Sequence, residues 1–209
     1  MPIVHQKEHL SCFIAIWQIT ENFDELLQLA KLSSGELATF HAFKSDSRKK
    51  EYLTVRALLK TIYPEQDYVL FYDKHGKPHL NDRGISISHS KEYVAMITGE
   101  FYAGGIDIET IDDRIFILAN KFLNEAEKKY LGENPSRDTL QIVWGAKEIL
   151  YKIHSIGDLD FKKHLMTYNF TTKEKGQLDA SITKLGYEKA YTIYYEKIDS
   201  FMISWGTSN

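Results

Sequence analysis

Asp107 and Glu109 are separated by one residue in Gly105-Ile106-Asp107-Ile108-Glu109. On an extended strand such a pair projects both carboxylates from one face, with Ile106 and Ile108 on the other. Two oxygen ligands on one face of a rigid element suit Mg2+, a hard cation that keeps waters and takes phosphate oxygens for its remaining positions. An edge strand with a solvated acidic face also accounts for the pair. A third carboxylate, Glu148, falls on a predicted helix at four-residue spacing from both Trp144 and Lys152, so the three form a stripe. Lys147 lies beside it. Ile142, Val143, Ala146, Ile149, Leu150 and Ile153 fill much of the remaining helix surface, which predicts burial, and buried charges need partners. Glu148 either completes a metal site whose phosphate ligand meets Lys147 and Lys152, or makes a surface pair with Lys152 worth a few tenths of a kcal/mol.

Ile85-Ser86-Ile87-Ser88-His89-Ser90 alternates strictly, placing the three serines on one strand face and His89 with the isoleucines. Ser88, His89 and Ser90 can offer hydroxyls, a backbone N–H and an imidazole to an anion. No Asp or Cys neighbour makes a nucleophilic arrangement with His89, and a structural histidine fits as well. The turn Gly76-Lys77-Pro78 can present Lys77 to another phosphate or leave it solvated. Lys44, Arg48, Lys49, Lys50 and Arg56 form either a solvated helix face or the local basic patch an anionic ligand would need. Glycine-rich loops of the dinucleotide and P-loop types are both missing, so metal and basic side chains would have to hold a phosphate substrate.

The chain as a whole bounds this chemistry. Its 209 residues suit one large domain or two small ones, and 43% hydrophobic residues can fill a core. A formal net charge of -3 gives no footprint of a nucleic-acid or anionic-membrane binder. Cys12 is the only cysteine, which excludes an intrachain disulfide and a multi-cysteine zinc site. Its apolar run, Cys12 to Trp17, falls short of the roughly 18 residues of a membrane span. The first residues lack a signal-peptide pattern. A reduced cytoplasmic protein, with neither membrane nor nucleic acid as partner, is expected.

Periodicity and caps outline the elements that must position these residues. Ser11 to Ile19 reads as a strand, Asn22 to Leu32 as a helix, and Ser33 with Glu36 as a capping box opening a second helix. A longer helix is predicted from Ser47 to Tyr63, a short strand from Tyr68 to Tyr72, and a hairpin of Gly84 to Ser90 with Tyr93 to Gly99. Ala103 to Ile108 is a further strand. Helices follow near Arg114 to Asn120, from the Asn124–Glu127 capping box through Leu131, and from Thr139 to Ile153. Phe161 to Phe170 and Leu178 to Trp205 read as antiparallel strands, with a turn at Lys173-Glu174-Lys175-Gly176. The helix carrying Leu53, Arg56, Leu59 and Ile62 is echoed by Trp144, Lys147, Leu150 and Ile153 at a constant offset of 91. Met96-Ile97-Thr98-Gly99 is likewise echoed by Ile203-Ser204-Trp205-Gly206. Two similar α+β halves meeting near residue 104 explain the echo. Chance similarity between amphipathic helices is the alternative.

Taken in order, Gly76-Lys77-Pro78, Ser88-His89-Ser90, Gly105-Ile106-Asp107-Ile108-Glu109 and Trp144-x-x-Lys147-Glu148-x-x-x-Lys152 resemble the motifs of the 4'-phosphopantetheinyl transferase superfamily. Their spacing is similar to that of its longer, monomeric members, built as a pseudo-dimer. The motifs span residues 44–155, and the length and element order extend the likeness over nearly the whole chain. The resemblance implies an α+β fold of two similar α/β halves with antiparallel sheets, related by a pseudo-twofold axis. Residues 1–104 would form the N-terminal half and 105–209 the C-terminal half, with the active site at the junction.

The activity implied by the resemblance is transfer of the phosphopantetheine arm of coenzyme A, as co-substrate, to a serine of an apo acyl or peptidyl carrier protein, releasing 3',5'-ADP. Asp107, Glu109 and Glu148 would ligate Mg2+, with Mn2+ the other candidate. Glu148 would also act as the base, directly or through a water. Lys152 would contact the diphosphate with Lys147 beside it, and His89 the 3'-phosphate. Lys77 and Ser88 would line the coenzyme A site, with Arg48 and Lys44 near the nucleotide. The carrier protein would dock near Phe122. Gly145 departs from the family pattern, where a small hydroxyl residue, Cys or Ala is more common. Two other readings stay open: another Mg2+-dependent diphosphate-cleaving enzyme, and a coenzyme A-binding module without catalysis.

Overall fold

A computed structural model describes residues 3–66 and 68–208. Met1, Pro2 and Asn209, the outer ends of the two expected halves, lie outside the described residues, as does Asp67. Alternating burial builds β1 (Ile3–His9), which turns through Leu10 and Ser11 into the apolar β2 (Cys12–Gln18). Three helices follow: α1 (Phe23–Ala30), α2 (Ser34–Ala42) and α3 (Asp46–Ile62). A small ladder of β3 (Phe71–Tyr72) and β4 (Pro78–His79) leads to the hairpin of β5 (Gly84–Ser90) and β6 (Tyr93–Gly99). The strand order of this first sheet is β1-β2-β6-β5.

The second half repeats the plan. After β7 (Ala103–Thr110) come α4 (Arg114–Phe122), α5 (Glu125–Leu131) and α6 (Arg137–His154). The chain then forms β8 (Leu165–Thr167), β9 (Lys175–Lys184), β10 (Tyr187–Ile198) and β11 (Phe201–Ser208), in the sheet order β7-β11-β10-β9-β8. In each half the strand before the helices pairs with the last strand, which pairs in turn with the strand preceding it. Corresponding helices begin 91 residues apart: Phe23 and Arg114, Ser34 and Glu125, Asp46 and Arg137. The second helix of each opens with a full capping box, Ser33 with Glu36 and Asn124 with Glu127. The fold is α+β, with two sheet-rich halves.

Three strand expectations are corrected. The turn expected at Lys173 to Gly176 ends earlier, because β9 already begins at Lys175. Gly176 lies under a tyrosine ring of β10, where a Cβ would sit 2.6 Å from Tyr195 Oη. The expected Phe161–Phe170 strand contracts to β8, since the chain before it closes a turn, His164 N donating to Asp160 O at 2.9 Å. Tyr68 to Tyr72 contracts to β3, which has only the two residues of β4 to pair with.

The halves share a core. Ile14 and Ile16 of β2 meet Ile106 and Ile108 of β7 and Ile203 and Trp205 of β11 in one buried cluster. On the far side of the junction Lys7 pairs with Glu196, and its ammonium lies 3.7 Å from the centre of the Trp205 ring. The Trp205 indole N–H donates to His9 Nδ1 at 3.2 Å. Among the described residues, no helix is long and apolar enough to cross a membrane.

Candidate active site

With Ile106 and Ile108 committed to the shared core, period two turns Gly105, Asp107 and Glu109 toward α6. The helix comes close because two positions lack side chains. A Cβ on Gly105 would lie 3.0 Å from Ile149 O, and one on Gly145 would lie 2.5 Å from Ser204 Oγ and 3.9 Å from Asp107 Oδ2. Ser204 thus takes the space that a side chain at Gly145 would need, which explains the glycine there.

Hydrogen bonds then draw three elements into one trough. Lys152 Nζ of α6 donates to Asp107 Oδ1 at 2.9 Å, to Ile106 O at 2.7 Å and to Ser88 Oγ at 3.2 Å. Ser88 Oγ of β5 donates to Asp107 Oδ1 at 3.0 Å. Glu109 accepts from Trp144 Nε1 and from Ser90 Oγ, both at 3.3 Å. The alternate serines of β5 also serve the backbone of β7: Ser86 Oγ accepts from Ile106 N at 3.2 Å and Ser90 Oγ from Thr110 N at 3.1 Å. These strands belong to different sheets, so hydroxyls satisfy edge N–H groups that a ladder would otherwise pair. Sequence alternation put the serines on one face but gave no sign that this face meets β7.

The charge balance is unfavourable for carboxylates. Burial first, and then Asp107, push the Glu148 carboxyl up to about 7; Lys152 opposes the rise and Glu109 adds to it. Burial and Asp107 also raise Glu109. Three carboxylates share the trough with the ammonium of Lys152, and a divalent cation would relieve their repulsion. Among the described residues, no three acidic, imidazole or thiol groups converge tightly enough to form a ready-made cation cage.

The trough is open at both ends. Ser90, Glu109, Gln141 and Trp144 border a cavity of about 510 Å³ whose outer wall is Arg114 and Ile117 of α4. Past Lys152, a cavity of about 270 Å³ is lined by Lys77, Ser86, Gly104 and Tyr151. Burial lowers the pKa of Lys77. Gly76, Pro78 and Ile87 separate this cavity from one of about 190 Å³ that holds Arg48, Tyr72 and His89. Glu51 lies between Arg48 and His89, 3.2 Å from Arg48 Nη1 and 3.4 Å from His89 Nε2, a bridge that the sequence reading missed.

Asp107, Glu109, Glu148, Lys152 and Ser88 therefore come together, with Lys77 beside them and with Arg48 and His89 one cavity away. Lys44 is exposed between α2 and α3 and lines neither of those two cavities. Lys147 does not face the trough. Its ammonium is fully buried and bonded to Glu127, because a one-residue step along a helix turns the side chain by about 100°. Phe122 cannot be a docking residue as it stands, since it is 0% exposed and packs on Trp144 in the core beneath α4.

The sequence model of the 4'-phosphopantetheinyl transferase superfamily matches residues 103–205, from β7 through β11. Over these residues the chain belongs to that superfamily. Phosphopantetheinyl transfer is the chemistry of the family, and the match contains Asp107, Glu109, Glu148 and Lys152. Among curated proteins no sequence matches the chain.

Proposed function

We propose that this chain transfers the 4'-phosphopantetheine arm of coenzyme A to a serine of an apo acyl or peptidyl carrier protein, releasing 3',5'-ADP. One observation carries the reading: Asp107, Glu109, Glu148 and Lys152 share a trough that opens at both ends. Coenzyme A would enter from the side of Lys77 and Lys152, its nucleotide reaching Arg48 and His89. The carrier serine would enter from the side of Glu109 and Trp144. Residues 1–104 and 105–209 each supply one wall, so a cytoplasmic monomer suffices.

Asp107, Glu109 and Glu148 would hold Mg2+ or Mn2+, which when bound offsets charge on the diphosphate oxygens. The chain's own groups do the rest. Glu148, directly or through a water it orients, takes the serine proton as the serine oxygen bonds to the β-phosphorus. The bond from that phosphorus to the bridging oxygen breaks, and the departing 3',5'-ADP keeps the electron pair. Lys152 sits beside Asp107, where its ammonium can donate to the departing phosphate. Ser88 holds Asp107 in orientation while this occurs.

With Phe122 buried, the docking surface falls on the exposed side of α4. Phe116 is 48% and Ile117 76% exposed there, and Arg114 and Lys121 flank them. An exposed apolar patch with Arg114 and Lys121 at its two ends suits an acidic carrier. The direct test is chromatography of the nucleotide product with and without apo carrier protein. Release of 3',5'-ADP only when a carrier is present is expected. Equal release without carrier would favour another diphosphate-cleaving enzyme, and no release in either case would favour a binding module.

A further inference from the structure

Lys147 and Glu148 are consecutive on α6 yet face different surroundings. The Lys147 ammonium donates to Glu127 Oε2 at 2.7 Å, to Phe122 O at 2.7 Å and to Phe161 O at 2.8 Å. The Lys147 side chain is 0% exposed, so no phosphate can reach its ammonium, whereas that of Lys152 is open to the trough. Glu127 is itself fully engaged. Its Oε2 also accepts from Asn124 N, and its Oε1 from Thr167 N and Oγ1, each at 2.9 Å. One buried pair therefore ties α6 to the end of α4, the start of α5, the segment at Phe161 and β8.

The first half contains the same device. Arg56 Nε of α3 donates to Glu36 Oε1 at 2.9 Å, and Glu36 is the capping-box residue of α2, as Glu127 is of α5. Each cation follows its carboxylate by 20 residues, and the two pairs are offset by the same 91 as the helices. The pair is thus a repeated structural lock. In the second half alone, the helix it holds carries Glu148, and Trp144 that bonds Glu109.

We propose that Lys147 is a positioning residue: locked onto Glu127, it fixes the rotation of α6 so that Glu148 and the Trp144-held Glu109 face Asp107. The kinetic part of this inference rests on the proposed transfer reaction; the metal-binding part does not. Arg56→Met supplies an internal control, because it breaks the sister lock without touching α6.

The test uses the whole chain as wild type, Lys147→Met and Arg56→Met. Thermal unfolding, Mn2+ affinity by electron paramagnetic resonance, and kcat and KM for coenzyme A are measured on each. Lys147→Met, which strips one member of a fully buried pair, is expected to melt about 10 °C lower, and Arg56→Met, whose partner Glu36 is partly exposed, to melt lower by less. Only Lys147→Met is expected to lose Mn2+ affinity and kcat, each by about tenfold or more, with KM for coenzyme A unchanged. A raised KM with unchanged melting and Mn2+ affinity would make Lys147 a substrate ligand and overturn the proposal. So would a Lys147→Met that melts early but otherwise matches Arg56→Met. Should Lys147→Met not fold, the double variant Lys147→Met with Glu127→Gln, which removes both charges, is judged by the same readouts. If wild type binds Mn2+ but transfers nothing, the function reading fails while the melting and Mn2+ comparisons still decide the lock. Wild type that binds no Mn2+ overturns both.

Discussion

Glu148→Gln isolates the electrostatic load on the trough. In the metal-free protein, burial and the facing Asp107 push the Glu148 carboxyl from 4.5 to about 7, with Lys152 opposing and Glu109 adding. A carboxyl with a raised folded pKa holds its proton more tightly in the folded state. Below the unfolded pKa it costs nothing; as pH rises from 4.5 to about 7 the cost develops, and above 7 it is fully present. A rise of that size corresponds to about 3 kcal/mol. For a chain of this length the same energy moves the melting temperature by about 6–12 °C. Glutamine keeps the shape and removes the charge. In EDTA, Glu148→Gln should therefore melt higher than wild type by about this amount at pH 8 and equally at pH 4.5, as followed by circular dichroism. Mn2+ should narrow the gap by stabilising wild type alone. No gain at pH 8, or the same gain at both pH values, would mean that the Glu148 charge does not load the folded trough. The variant should also lose transfer activity, so the stability comes at the expense of function.

His89→Ala should raise KM for coenzyme A by about tenfold, the worth of one charge-assisted hydrogen bond, and leave KM for dephospho-coenzyme A unchanged; equal effects on both would remove His89 from the 3'-phosphate. Ile117→Asp should raise KM for the carrier protein without changing KM for coenzyme A, and an unchanged carrier KM would move the docking surface off α4. Gly145→Ala should melt lower, because its Cβ would lie 2.5 Å from Ser204 Oγ and 3.0 Å from Ser204 Cβ. Overpacking of this kind costs about 1–3 kcal/mol, against a helix-propensity gain of about 1 kcal/mol. Adding Ser204→Gly should restore the melting temperature, and failure to do so would place the clash elsewhere.

Much of this arrangement is legible in the sequence because it is local. Capping boxes at Ser33 and Asn124, the alternation of β5, and the helical stripe through Glu148 each rest on a few neighbouring residues. The offset of 91 extended this to the architecture, since amphipathic helices carry their phase in the sequence. What period and spacing could not supply was the meeting of distant elements. β1 is half polar, and only its pairing with β2 makes it a strand. Lys147 and Lys152 look alike in sequence, yet one finds Glu127 in the core and the other finds Asp107 in the trough. Phe122 belonged to a helix with two apolar sides, and nothing local indicated which side Trp144 would cover. The bridge of Glu51 between Arg48 and His89 likewise depends on α3, packed on β2 and β6, bringing Glu51 to the end of β5, a contact outside any local pattern.

In the proposed reaction Asp107, Glu109 and Glu148 serve transfer of the phosphopantetheine arm to a carrier serine. Intact-mass measurement of apo carrier protein after incubation with the purified chain, coenzyme A and Mg2+ tests it most directly. Several acyl and peptidyl carriers should be tried beside an Asp107→Ala variant that remains folded. Wild type is expected to add one phosphopantetheine to the serine of at least one carrier, and Asp107→Ala to add none. No added mass on any carrier, or modification by Asp107→Ala at the wild-type rate, would contradict it.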